Sequence, residues 1–218
     1  MRAVLIANPK GGSGKTTLSI NVAGYLAGRG CSTLICDLDR QKSATEWLSL
    51  RAPQLPLIRG LGARDDGALE PQRRGDWLVI DSPAGLHGKN LARALKPARR
   101  VLVPLQPSLF DMAATRDFLE TLAQEKAVRK ERALVGIVAM RVDPRTRAAA
   151  ALEGFLGQFD LPVLAWLRDT AQYANAALEG RSIFDLPAHL AARDVEQWQP
   201  IVEWLEWPDR PERDTGPG

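Results

Sequence analysis

Short apolar runs alternate along the chain with longer segments in which apolar residues recur every three or four positions. The short runs are typical of strands buried on both faces of a parallel sheet, and the longer segments are typical of helices. The predicted strands cover 3–7, 33–37, a short stretch around Leu57-Ile58, 77–81, 100–104 and 134–140. The predicted helices cover 16–29, 43–50, 86–95, 108–130, 145–157, 170–180 and 191–206.

This alternation predicts an α/β fold with a doubly wound, mostly parallel sheet and helices on both faces. Ser43 is the predicted N-cap of the second helix. We interpret residues 51–76, which hold three prolines and four glycines, as a loop-rich connection. The sequence predicts one domain over 1–210, and the polar, Pro/Gly-rich residues 211–218 predict a disordered tail.

The composition narrows the class of protein. With 45% hydrophobic and 25% charged residues, the 218-residue chain is typical of a globular protein. Cys31 and Cys36 form no CxxC pair and the two histidines are distant, which argues against a zinc or iron–sulfur site and predicts two buried thiols. The apolar run after Arg2 is too short for a signal peptide, and no segment approaches the roughly 18 apolar residues of a membrane span. We therefore expect a cytoplasmic protein.

A glycine-rich segment lies between the first predicted strand and the first helix. Its residues are Lys10, Gly11, Gly12, Ser13, Gly14, Lys15, Thr16 and Thr17. In such a loop the backbone N–H groups and the helix N-terminus surround phosphate, Lys15 reaches the β- and γ-phosphates, and Thr16 holds magnesium. The generic pattern G-x-x-x-x-G-K-[ST] fails because Pro9 stands where its first glycine belongs.

The actual pattern, K-G-G-x-G-K-T-T, resembles the deviant Walker A motif of the ParA/MinD family of P-loop ATPases. The resemblance implies ATP and Mg²⁺ as cofactors and a homodimer that forms when ATP binds. It also implies that the early lysine, Lys10 here, reaches across the dimer to the phosphates of the partner subunit. Lys10, Lys15 and Asp39 are then the expected catalytic residues.

Further segments carry the same resemblance. Asp37-Leu38-Asp39-Arg40-Gln41 resembles the family's D-x-D-P-Q segment, so that Asp39 positions the attacking water and the magnesium shell while Asp37 supports the loop. Asp81, in a D-S-P-A-G segment, resembles the Walker B aspartate that binds magnesium through water. The segment 104–108, followed by Asp111, resembles a region near the dimer face. Met140 is placed by position beside the adenine, although ordinary packing explains it equally well.

The net charge of +3 is unevenly distributed. Residues 1–88 contribute +3 (11 basic, 8 acidic), residues 89–147 contribute +7 (13 and 6), and residues 148–218 contribute −7 (5 and 12). A basic middle segment suits nonspecific DNA binding through phosphate neutralisation. Its candidate cations form two clusters: Lys89, Arg93, Lys96, Arg99 and Arg100, and Arg141, Arg145 and Arg147.

These features favour a small ParA-like ATPase that binds nonspecific DNA at the nucleoid. It would move a plasmid, a chromosome or a protein cargo when a ParB-like or other adaptor stimulates hydrolysis. Two alternatives stay open, a MinD-like membrane-associated ATPase and a cofactor-biosynthesis ATPase of related fold. The acidic face of the last helix argues against a membrane anchor, and we expect its tryptophans to pack against the core. The phosphate loop begins by residue 10, so no operator-reading module is expected before it.

Overall fold

A computed structural model describes residues 1–62 and 77–208. The seven strands of this part of the chain form one sheet in the order β3-β2-β4-β1-β5-β6-β7, and every neighbouring pair is parallel. The strands are β1 (Arg2–Ile6), β2 (Thr33–Asp37), β3 (Ile58–Leu61), β4 (Trp77–Asp81), β5 (Arg100–Leu105), β6 (Leu134–Val142) and β7 (Val163–Arg168).

Helices connect the strands and cover both faces of the sheet. They are α1 (Lys15–Gly28), α2 (Ser43–Leu50), α3 (Gly88–Leu95), α4 (Leu109–Gln124), α5 (Lys126–Arg129), α6 (Arg147–Leu156), α7 (Gln172–Leu178), a 3₁₀ turn η1 (Ile183–Asp185) and α8 (Ala188–Glu206). One core layer packs α3, α4 and α6 against the sheet, and the other packs α1, α2 and α8. The doubly wound α/β fold is therefore confirmed, whereas the domain limits stay a prediction and residues 211–218 lie outside the described residues.

The central strands are apolar because they are covered on both sides. In β1 the residues Val4 and Ile6 belong to one core layer, while Ala3 and Leu5 belong to the other. All four are at most 1% exposed. Period-two alternation is absent from the sequence because both faces are buried, which is why a continuous apolar run identified the strand.

The structure corrects three predictions of local structure. The run Val163–Arg168 forms the edge strand β7, which was not predicted, and four of its six residues are only partly buried. The predicted helix over 108–130 is interrupted at Glu125, whose backbone is extended, so that α4 and the short α5 are separate. The prediction of Ser43 as an N-cap is wrong. Lys42 occupies that position with a left-handed φ of 56°, and the Asp37 carboxylate accepts the hydrogen bond from Thr45 N–H instead.

The C-terminal helix is anchored to the sheet by a buried arginine. Arg100, 3% exposed, donates to the carbonyls of Trp204 and Trp207 and lies over the Trp204 ring. Arginine satisfies carbonyls that a helix end leaves without N–H partners. Trp198 is fully buried, as predicted for core packing, whereas Trp207 is 68% exposed. Arg100 is therefore part of the fold and is removed from the DNA candidates.

The remaining small-scale predictions have mixed outcomes. Cys36 is buried, but Cys31 is only partly buried, so the prediction of two buried thiols is wrong for Cys31. Among residues 1–62 and 77–208, no helix has both the length and the apolar character that are needed to cross a bilayer.

The topology creates a crevice at the carboxyl end of β1. From this central strand the chain passes to β2 on one side of the sheet, and later strands β5, β6 and β7 extend the other side. In open parallel sheets ligands bind at such a switch point, outside the carboxyl ends of the strands. The loops that follow β1, β2, β4 and β5 meet there. The predicted site residues lie in these loops, in the first turn of α1 and at the end of β4, except Met140, which lies on β6.

Candidate nucleotide site

The loop from Lys10 to Gly14 wraps around the N-terminus of α1. Gly12 and Gly14 have φ angles of 80° and 97°, a backbone conformation that side chains rarely tolerate. Gly14 is the N-cap of α1 and makes no side-chain cap, so the N–H groups of the first turn stay available to an anion. At Gly11 and Gly12 an added Cβ would meet no atom within 4 Å, which shows open space on the outer side of the loop.

Lys15 is folded over this loop. Its ammonium donates a 2.8 Å hydrogen bond to the carbonyl of Lys10, and the residue is only 7% exposed. Burial lowers the pKa of Lys15, while the carboxylates of Asp81 and Asp39 act in the opposite direction. The ammonium of Lys15 is therefore held by a carbonyl and contacts no carboxylate. Its positive charge stays available to phosphate oxygens.

Lys10 sits differently in the same loop. It is half-buried, its backbone N–H donates to Asn8 Oδ1 at 2.8 Å, and its carbonyl holds Lys15. Within the described part of the chain, its ammonium has neither a hydrogen bond nor an ion pair. The Lys15 ammonium thus binds its own loop, whereas the Lys10 ammonium is available to a ligand or a second subunit.

Asp81, at the carboxyl end of β4, lies directly beneath the start of α1. Its two carboxylate oxygens accept hydrogen bonds from Thr16 Oγ1 at 2.8 Å and from Ser19 Oγ at 2.9 Å. Burial raises the pKa of Asp81 to about 6, against the lowering effect of these two hydroxyls. Desolvation raises the free energy of an ionised carboxylate in this buried position, so a cation bound beside it would stabilise it strongly.

Asp37 and Asp39 divide the work of the loop after β2. Asp37 is buried, and it accepts from the N–H of Asp39 and from both the N–H and the hydroxyl of Thr45, which ties the loop to α2. Asp39 uses Oδ1 to accept from Gln41 N–H and remains partly exposed. Asp37 is therefore committed to the fold, whereas Asp39 keeps acceptor capacity toward the crevice.

Two supports of the phosphate loop were missed at the sequence level. Asn8, fully buried, donates to the carbonyl of Pro104 and to Thr115 Oγ1 while it accepts from Lys10 N–H. Gln106 donates from Nε2 to the carbonyl of Gly12 at 2.5 Å. These contacts fix the loop to the end of β5 and to α4. A buried-strand run that ends in Asn was the available signal for Asn8.

Met140 lies against the loop from below. A Cβ on Gly14 would approach its Cε to 2.9 Å, and Met140 is only 3% exposed. Its side chain therefore supports Gly14, and the assignment of Met140 to adenine stays a prediction. Next to it, Arg141 has a left-handed φ of 54° and donates from Nε to Asp169 at 3.1 Å.

The donor set fits a magnesium–nucleotide complex. Thr16 and Asp81 are in contact, and the glycines and the uncapped N–H groups of α1 are the groups that would hold phosphate. Among the described residues, no group of three or more histidine, cysteine or acidic side chains is placed so that it could hold a metal ion.

Comparison with known proteins adds the decisive observation. Residues 4–183 match the CbiA family, described as the CobQ/CobB/MinD/ParA nucleotide binding domain. The chain belongs to this family. The match includes the phosphate loop, the loop after β2, Asp81 and Met140, which together form the crevice described above.

Two similar proteins of the ParA/MinD family are named for the distribution of carboxysomes and for the partitioning of chromosomes. The chain is 28% identical over 200 residues to the maintenance of carboxysome distribution protein A of Halothiobacillus neapolitanus, with 88% of this chain and 92% of that protein covered. It is 31% identical over 189 residues to the chromosome-partitioning ATPase Soj of Thermus thermophilus, with 72% and 76% covered.

A solved structure extends the comparison to the fold. The ATP complex of a McdA variant from Cyanothece superposes with a TM-score of 0.73 at 16% identity, covering 97% of this chain and 98% of that one. At this identity the likeness concerns the fold alone. The resemblance to the ParA/MinD family and the P-loop fold predicted from the sequence are thereby confirmed.

Proposed function

We propose that this protein is a ParA-like ATPase that forms an ATP-dependent sandwich dimer, binds nonspecific DNA and positions a cargo through partner-stimulated hydrolysis. The observation that carries the proposal is the division of labour between the two lysines. Lys15 is folded onto its own loop, whereas Lys10 has no partner for its ammonium within the described chain. A second subunit that brought its phosphates to this loop would supply that partner. The names of the carboxysome-distribution and chromosome-partitioning relatives support a positioning role.

The proposed reaction is hydrolysis of the β–γ phosphoanhydride of ATP. Magnesium, held through Thr16 and Asp81, would neutralise charge on the phosphates. Lys15 binds the phosphates in its own subunit, the N–H groups at the start of α1 donate to them, and Lys10 donates across the dimer. Asp39 orients the attacking water with the acceptor capacity that Gln41 leaves free. Catalysis is then mostly electrostatic.

The test of the trans lysine compares Lys10→Ala with Arg59→Ala, an exposed arginine on β3. We expect Lys10→Ala to bind ATP but to lose most hydrolysis and dimerisation, measured by phosphate release and light scattering. Mixing Lys10→Ala with Lys15→Gln subunits should restore part of the turnover, since the Lys10→Ala subunit keeps Lys15 and receives Lys10 from its partner, which completes one of the two sites of the mixed dimer. Wild-type turnover by Lys10→Ala would contradict the proposal.

Asp39 gives a second test of the reaction. We expect Asp39→Ala to bind ATP and to hydrolyse it about 100-fold more slowly, because the water loses its orienting acceptor. The ATP-bound dimer should then persist on DNA, which is measured by retention on a DNA-coated surface after free ATP is removed. Fast release by the variant would argue that Asp39 has no part in hydrolysis.

The structure changes the set of cations that are candidates for DNA binding. Arg100 is buried, and Arg141 and Arg145 form ion pairs with Asp169 and Asp143. Four exposed cations lie instead on α5 and the turn after it, close to Arg99, whose carbonyl accepts from Leu134 N–H. They are Lys126, Arg129, Lys130 and Arg132. We name them the α5 cations.

DNA binding is tested by reversing this charge. A variant with Lys126, Arg129 and Lys130 changed to Glu should lose ATP-dependent DNA retention and show a shallower dependence of affinity on salt. Arg145→Glu, on a residue paired with Asp143, is the matched control. A parallel pelleting assay with anionic liposomes separates the membrane alternative, since lipid binding without DNA retention would reverse the choice. Hydrolysis only with a small-molecule acceptor would favour the biosynthetic alternative.

A further inference from the structure

A small pocket lies next to the loops that follow Asp37 and Asp81. It has a volume of about 170 Å³ and is formed by α3 and the loops that follow β2 and β4. It is lined by Leu38, Ile80, Pro83, Leu86, Asn90, Arg93 and Ala94. This volume is close to that of the ~150 Å³ cavity that holds one benzene molecule in another protein, so the pocket suits one apolar side chain.

The chemistry of the pocket is an apolar floor with a cationic rim. Ile80, Leu86 and Ala94 are buried at its base, while Asn90 and Arg93 are exposed at its mouth. Among the described residues of the lining, Arg93 is the one that carries a charge. Within the described chain neither its guanidinium nor the Asn90 amide has a hydrogen bond or an ion pair. The helix carries Lys89 and Arg93 and no acidic residue. A ligand with an apolar group next to a carboxylate would match both parts.

The pocket is mechanically close to the candidate catalytic loops. Leu38, one wall of the pocket, stands between Asp37 and Asp39, and its N–H donates to the carbonyl of Asp81 at 2.9 Å. Ile80 directly precedes Asp81. A group that enters the pocket therefore contacts a residue that is bonded to both carboxylate loops.

We propose that this pocket docks an apolar side chain followed by a carboxylate on the protein partner. The role of the docked partner rests on the proposed function, because partner-stimulated hydrolysis requires a contact that reaches the catalytic loops. Charge complementarity selects the occupant: an acidic segment pairs with Arg93, whereas a basic segment is repelled by Arg93 and Lys89. Leu38 is the residue through which the bound segment acts on the Asp39 loop.

The experiment measures binding of a defined probe to the full chain. The probe is the blocked dipeptide acetyl-Leu-Asp-amide, titrated while the methyl signals of Leu38 and Ile80 and the amide signal of Asp39 are followed by NMR. We expect saturable shifts of all three signals. Acetyl-Leu-Lys-amide and acetyl-Ser-Asp-amide, which lack the carboxylate and the apolar group respectively, should each bind about fivefold or more weakly.

Two variants locate the probe. Arg93→Glu changes an exposed side chain and should reverse the preference, so that the Leu-Lys dipeptide binds better than the Leu-Asp dipeptide. Lys89→Glu alters the same helix by the same charge but does not line the pocket, so it should leave the order of the two dipeptides unchanged. Ala94→Met should block binding by filling the pocket, and Arg93→Glu keeps the proposal testable if that variant does not fold.

The outcomes separate this inference from the ATPase proposal. Equal binding of the Ser-Asp and Leu-Asp dipeptides, or an unchanged preference in Arg93→Glu, would overturn the pocket assignment even if the protein hydrolyses ATP. Displacement of the bound dipeptide by duplex DNA with the same shifts at Leu38 would assign the face to DNA and also overturn it. Selective dipeptide binding in a protein that hydrolyses no ATP would support the pocket and refute the proposed function.

Discussion

Two regions of the molecule hold buried charge in opposite ways. Near η1, the side chains of Arg51 and Asp185 are 5% and 4% exposed and form a bidentate ion pair, and Ser182 donates further hydrogen bonds to the carboxylate. In the crevice, Lys15 contacts a carbonyl and Asp81 contacts two hydroxyls, and the two residues form no ion pair with each other. The first region is complete in itself, whereas the second is arranged for charges that a ligand brings.

This difference separates a structural use of charge from a functional one. A buried charge with a full set of partners resists change, since removal of one partner leaves the other uncompensated. A buried charge held only by neutral groups pays a desolvation cost that a ligand of opposite sign can recover. The pKa values agree, because burial dominates at both Lys15 and Asp81.

The largest expected effect concerns the crevice. Lys15→Gln should lower the affinity for Mg·ATP by about 100-fold or more, because a charge-assisted contact to phosphate is lost in a dry position. The thermal stabilisation that Mg·ATP gives the wild type should disappear, while the melting temperature of the nucleotide-free protein changes little. Fluorescent-nucleotide titration and thermal unfolding measure both quantities. Undiminished nucleotide affinity would place the phosphates elsewhere.

The second effect concerns the complete pair. Arg51→Met should lower the free energy of unfolding by about 3–5 kcal/mol, because Asp185 is left buried without its cation. Arg29→Ala, which removes an exposed pair with Glu206, is the control and should cost less than about 1 kcal/mol. Chemical denaturation measures both variants. A similarly small loss in the two variants would mean that the ion pair of Arg51 with Asp185 contributes little to the stability of the fold.

The pH dependence of stability sharpens the same contrast. Burial alone would raise the pKa of Asp185, but hydrogen bonds from Arg51 and Ser182 outweigh it and lower the pKa below 3.8. The stabilisation is therefore fully present above the unfolded pKa and is lost as the pH falls through the folded pKa. The stability difference between wild type and Asp185→Asn should shrink as the pH is lowered from about 6 to about 3. A difference that grows over this range would contradict the sign.

The smallest effect is expected at an exposed pair. Arg145 and Asp143 are in contact at 2.9 Å, but the Arg145 side chain is 87% exposed. Arg145→Ala should leave the free energy of unfolding unchanged within the error of the measurement, since solvent screens the pair. Denaturation at low and high salt measures the change. A loss of stability as large as that of Arg51→Met would show that burial does not explain the difference between the two ion pairs.

The sequence predicted most of what depends on local pattern. Continuous apolar runs identified β1, β2, β4, β5 and β6, and the glycine and lysine spacing identified the phosphate loop. The edge strand β7 was missed because its side chains are partly exposed and its flanks resemble a loop between helices. The Glu125 break was missed because nothing in its neighbours interrupts helical periodicity.

Long-range contacts were beyond the reach of pattern. Asn8 contacts Pro104 and Thr115, and Arg100 contacts Trp204, at separations that no local spacing reveals. For the same reason Arg100 was counted as a surface cation although the fold buries it. The pairing of Arg51 with Asp185 likewise depends on how α2 meets η1.

The position of β1 in the sheet has a consequence for synthesis. This strand precedes both of its neighbours in the chain, pairing with β4 from Arg2 to Ile6 and with β5 from Val4. During translation, at roughly 5–20 residues per second, it must wait several seconds for those partners to emerge. The phosphate loop that follows it acquires its anchor on Pro104 only after β5 has been made. The nascent chain therefore carries its nucleotide-binding loop long before it can hold a nucleotide, and a strand that is apolar at every position after Arg2 stays unpaired in that interval.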